Sequence, residues 1–102
     1  MRSNDTAIKI VRIYITEEDE LLHPILEYLH NTLKIRGATV FRGISGFGQS
    51  GAIHESKLLT LSLNLPLVIE FFDTPATIKR ALDYLIPLVG KAHIISWDAE
   101  AC

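Results

Sequence analysis

The sequence predicts an α+β fold in which two helices cover one face of a four-stranded antiparallel sheet, in the order βαββαβ. Three observations predict it. Two stretches carry leucine and isoleucine at helical spacing, and four others read as strands with β-branched and aromatic residues. Five of the six glycines lie between Gly37 and Gly51, in the middle of the chain. Such a cluster marks a turn or binding loop, because glycine adopts positive φ and lets backbone approach a ligand.

The first strand runs from Ala7 to Ile15 and is largely apolar on both faces, as for a strand covered on both sides. Thr16 to Glu20 follows as a solvated acidic turn. Leu22, Leu26, Leu29 and Leu33 form the first helical stripe, widened by Ile25. Proline costs roughly 3 kcal/mol inside a helix and little in its first turn, so the helix is expected from Pro24 to Ile35. Gly37 is the expected left-handed stop. Ala38 to Ser45 alternates as the second strand, until Gly46-Phe47-Gly48 breaks it.

A polar excursion, 46–57, leads into a further strand or ribbon, Lys57 to Leu63. Leu67 to Phe72 is a strand of high β propensity. Thr74 is a good N-cap and Pro75 a good first helical residue for the second helix. Ile78, Ala81, Leu82, Leu85 and Val89 give its stripe, which Pro87 should end or kink. Gly90-Lys91 forms the last turn before a final strand, Ala92 to Asp98. The order is that of a ferredoxin-like split βαβ sandwich, read as one domain over residues 1–102 with 1–6 disordered.

Composition narrows the function classes. The chain has 102 residues, 48% of them hydrophobic, and a mean hydropathy of +0.24. A domain this small cannot hide so much apolar surface alone, so part of it should meet another subunit. The net charge of −2, with both signs interspersed, lacks the basic stripe of a nucleic-acid binder. One cysteine, Cys102, suits a reducing compartment, and with no apolar leader or spanning run the expected location is cytoplasmic. No nucleophile has an evident base partner and His23, His30, His54 and His93 lack metal-ligand spacing, so neither an enzyme nor a metal site is predicted. Trp97 and the phenylalanines read as core, and Arg42 either pairs with Glu70, the reading preferred here, or lines a cleft between subunits.

Two nucleotide motifs are imitated in the glycine cluster. Gly46 to Gly51 matches G-x-G-x-x-G, and Gly43 to Ser50 matches a P-loop except that Gln49 replaces the lysine. Both motifs need a following helix whose N-terminus faces the phosphates, and Ala52 to Leu63 shows no helical stripe. Both are rejected. The shared physics survives, since glycine-rich backbone can cradle an anion.

Gly37-Ala38-Thr39-Val40 followed by Gly46-Phe47-Gly48 resembles the second strand and T-loop base of the PII signalling proteins. The chain is most similar to a PII-like family of small uncharacterised proteins, over roughly residues 8–97, including Arg42-Gly43-Ile44, Leu65-Pro66 and Pro87. The resemblance implies a homotrimer with sheets inward, projecting T-loops, and small-molecule sites between subunits. Genes of that family often lie beside those of fluoride-exporting channels, which implies a membrane channel as partner. Carried over by position, the ligand-binding residues are Gly46, Phe47, Gly48 and Gln49 of the T-loop base, with Gly90 and Lys91 of the B-loop. Gln49 stands where PII proteins have an arginine, and the chain stops before their phosphate-binding arginines. A smaller nucleotide such as AMP or ADP is therefore expected rather than ATP with 2-oxoglutarate. Two other readings stay open: a CutA-like divalent-metal tolerance protein, and a structural adaptor without a ligand.

Overall fold

Strand β1 (Ala7–Thr16) sits inside a four-stranded sheet, antiparallel to β5 (Pro66–Asp73) on one side and to β6 (Ile94–Glu100) on the other. Strand β2 (Gly37–Arg42) pairs antiparallel with the far side of β5, giving the order β2-β5-β1-β6. The computed structural model describes residues 6–47, 53–55, 64–90 and 93–102. The expected strand Lys57 to Leu63 lies outside the described residues, as do residues 1–5. The Thr6 carbonyl accepts from Ala101 N–H at 2.7 Å, which extends the β1–β6 edge.

Helix α1 begins at Leu22 and runs to Glu27, then widens into a π-helical turn over Tyr28–Thr32. Pro24 is thus its third residue, where no intrahelical N–H is missed, and the helix stops short of Ile35. The stop is Lys34, at φ 54°, not Gly37. Gly37 is instead the first residue of β2, where a Cβ would lie 2.6 Å from Phe72 Cε1, so close packing requires glycine there. Helix α2 (Pro75–Val89) has Thr74 as N-cap, its hydroxyl oxygen accepting from Thr77 N–H at 3.4 Å. It passes through Pro87 without ending: that position is exposed and in the last turn, so water can replace the missing bond.

Val11, Ile13 and Ile15 of β1 and Leu67, Ile69 and Phe71 of β5 share one face of the sheet. Ile25, Leu29 and Leu33 from the α1 segment and Ile78, Ala81 and Leu85 from α2 close over them, and all are buried. The helices also touch each other through Tyr28 and Tyr84, whose rings stack at 3.9 Å between centroids. Of the expected aromatic core only Phe71 is fully buried; Phe41, Phe47 and Trp97 are exposed. The second strand, expected to reach Ser45, stops at Arg42. The chain turns at Gly43-Ile44 and starts a separate two-stranded sheet, β3 (Ser45–Phe47) with β4 (Ile53–Glu55), in which Gly46 lies opposite His54. At Gly43 a Cβ would meet the Pro66 ring at 2.8 Å, and the Gly43 N–H donates to the Pro66 carbonyl at 2.8 Å.

Candidate functional site

Where β1 ends and β5 begins, the chain builds a wall from an acidic turn. Glu17, Glu18 and Asp19 form one turn of 3-10 helix, and the Asp19 carboxylate accepts from Thr16 N–H at 2.7 Å. The turn is clamped to the start of β5 in both directions. Glu17 N–H donates to the Leu65 carbonyl at 3.0 Å, and Leu65 N–H donates to Glu17 Oε1 at 3.1 Å. The other Glu17 oxygen takes the Arg42 guanidinium at the end of β2. Arg42 therefore does not pair with Glu70. Register puts Thr39 opposite Glu70 and Arg42 opposite Leu67, and Glu70 is held by Arg12 at 2.7 Å.

Arg42, and secondly Leu65 N–H, hold the Glu17 carboxyl below its ordinary value. The folded-state value is depressed, so this contribution is present above the unfolded carboxylate value of about 4.3 and is lost as pH falls through the folded one. Between about pH 5 and 3 the wild type should lose stability more steeply than Glu17→Gln, as urea melts at each pH would read. Equal slopes would mean the clamp carries no charge-dependent stability.

Above this wall lies a cavity of about 730 Å³. Its sides are Thr16, Glu18 and Asp19 of the wall, Tyr14 and Val68 of the sheet, and Gly46 and Phe47 of the hairpin. His93, just before β6, also lines it. Its volume is in the range of small-molecule sites, and its lining mixes aromatic faces with a few polar groups. Of the expected site residues, Gly46 and Phe47 are brought to this cavity. Gly90 ends α2 at φ 103°, and its carbonyl accepts from His93 N–H at 3.2 Å, so it is one residue contact removed from the lining. Gly48, Gln49 and Lys91 lie outside the described residues. Tyr14 and His93 were missed; the signal for Tyr14 was a polar-tipped aromatic closing the strand face of Ile8, Ile10 and Arg12.

A family model for DUF190, described as Uncharacterized ACR, COG1993, matches residues 8–101. The chain belongs to the DUF190 family. Two similar relatives are UPF0166 proteins. One, from Aquifex aeolicus, is 42% identical over 80 residues, covering 74% of this chain and 75% of the relative. The other, from Methanocaldococcus jannaschii, is 36% identical over 91 residues, covering 85% and 83%. Among solved structures this DUF190 chain is similar to CPII of Thiomonas intermedia K12 bound to ADP and bicarbonate, with a TM-score of 0.71, 16% identity, and 93% and 88% of the two chains covered. A protein of Thermus thermophilus described as PII-like superposes at 0.61 with 15% identity, covering 94% and 88%. CutA1 of Ehrlichia chaffeensis does so at 0.59 with 16% identity, covering 94% and 82%. At these identities the likeness establishes the fold: the DUF190 chain has the PII-like, ferredoxin-like architecture read from its sequence. Among the described residues no helix is long and apolar enough to cross a membrane.

Proposed function

We propose that the protein is a non-enzymatic, PII-like regulator that binds an adenine nucleotide such as AMP or ADP between the subunits of a homotrimer. In this reading the whole chain, 1–102, is one cytoplasmic domain, and ligand binding moves the 46–57 excursion against a partner, such as a membrane channel. The observation that carries it is the cavity, in which Gly46 and Phe47 of the hairpin meet Tyr14 and Val68 of the open sheet face. A ligand lodged there touches both the projecting hairpin and the face that would meet a neighbouring subunit. The ADP bound by CPII, a protein of the same fold, supports the ligand class.

The phosphate would be taken by backbone N–H groups around Gly46, Phe47, Gly48 and Gln49, with Gly90 shaping the turn that presents Lys91. Successive N–H groups form an anion-accepting nest, and an ammonium adds charge beside it. A hydrogen bond to a charged group contributes about 1.5–3 kcal/mol, so Lys91→Ala should weaken ADP binding about tenfold or more in calorimetry. Equal affinity in wild type and variant would place the site elsewhere. No binding of AMP or ADP to the wild type, with a thermal shift from divalent metal instead, would sink the nucleotide reading.

A further inference from the structure

The sheet face turned away from the helices is apolar around one charged spot. Strand register puts Phe41, Val68, Tyr14, Ile95 and Trp97 on it. Four of the eight exposed large hydrophobics among the described residues, Phe41, Tyr14, Ile95 and Trp97, lie on this one face. In its middle Arg12 of β1 stands directly opposite Glu70 of β5, with Arg12 Nε 2.7 Å from Glu70 Oε1. On the other side the Arg12 guanidinium carbon lies 5.5 Å from the centroid of the Trp97 ring of β6. Carboxylate, guanidinium and indole thus run in line across three adjacent strands.

An ion pair left in water contributes little, whereas a covered pair becomes costly to break from one side. We infer that Arg12, Glu70 and Trp97 form a polar key that makes this apolar face accept copies of the same chain in one register only. The inference rests on the homotrimer reading and names what selects the partner. Arg12 carries five N–H donors and Glu70 has a second oxygen, so covering the face with a purely apolar partner would bury donors without acceptors. A copy of the same face brings a carboxylate and a guanidinium of its own. The face is net neutral and carries both signs, so it is charge-complementary to itself. Trp97 gives the guanidinium an aromatic face within cation–π range, so the charge is held from both sides, by the Glu70 carboxylate and by the indole.

The test is sedimentation equilibrium with native mass spectrometry on the full chain, with circular dichroism to check folding. Wild type should give one stoichiometry. Arg12→Met and Glu70→Leu should each weaken association at least about 100-fold, since each leaves an unpaired charge in the covered face. The double variant, Arg12→Met with Glu70→Leu, should associate again but with several stoichiometries, because apolar area without the key does not fix register. Arg12→Glu with Glu70→Arg should recover at least about tenfold over Arg12→Glu alone. Single variants that associate like wild type would overturn the inference. So would a double apolar variant with the wild-type stoichiometry alone, which decides the matter even if a single variant fails to fold. A wild type that is monomeric throughout would overturn the homotrimer reading as well.

Discussion

Replacing Phe71 by alanine is expected to destabilise the fold by about 3–5 kcal/mol. Phe71 is the largest of the fully buried side chains and has Val11 opposite it on β1 and Ala38 opposite it on β2. It belongs to the buried cluster that the sheet forms with both helices, so truncation opens a cavity in the one core the domain has. Neither neighbour can fill the space: Ala38 is small, and Val11 is fixed by its own branched side chain. A domain of this size has a total stability of about 5–15 kcal/mol, so the variant should be partly unfolded well below the wild-type melting temperature. Urea melts at one fixed protein concentration would measure it, since association adds to apparent stability. A loss under about 1 kcal/mol would mean that the core collapses around the deletion more completely than this packing allows.

The second large effect is expected at Gly90. Its backbone stands at φ 103° and ψ 142°, a region closed to residues with a side chain, and its N–H closes α2 on the Ile86 carbonyl at 2.8 Å. A Cβ there would only touch His93 at 3.6 Å, so space is not the obstacle. Conformation is. Gly90→Ala should cost about 1–3 kcal/mol, from strain that a change of rotamer cannot relieve. The Gly90 carbonyl accepts from His93 N–H at the cavity, so in the nucleotide reading proposed above ADP affinity should fall as well. If Gly90→Ala melts and binds like wild type, the chain leaves α2 by another path.

Periodicity made the two helices and four strands of the main sheet legible, and local chemistry placed α2, where Thr74 and Pro75 mark the start. Helix α1 was less legible because its end is a π-helical turn closed by Lys34, and lysine at positive φ has no composition signal. Gly37 offered itself as the stop, yet it is glycine because Phe72 lies against it. The partner of Arg42 was out of reach for a different reason. Alternation tells which face a side chain takes, while register decides what lies beside it, and register set Glu70 beside Arg12. Trp97 and Phe41 show the same limit, since a sheet apolar on both faces does not reveal which face the helices will cover. Gly46 and Phe47 at the cavity followed from the glycine cluster; the wall of Glu17 to Asp19, read as solvated charge, became visible only through its bonds to Leu65 and Arg42.

Among the described residues the hairpin of β3 and β4 shares no ladder with the four-stranded sheet. Its described attachment runs through the Gly43 N–H and the packing of Gly43 and Gly46 on the Pro66 ring. Such a module is exchangeable. The register pairs of the four-stranded sheet involve neither β3 nor β4, so a change in sequence between these two strands leaves those pairs in place, and selection on what the hairpin touches is uncoupled from selection on folding. Related chains can therefore diverge in what the hairpin touches while keeping one scaffold, and a hairpin transplanted between them at Gly43 and Pro66 should carry its contacts with it.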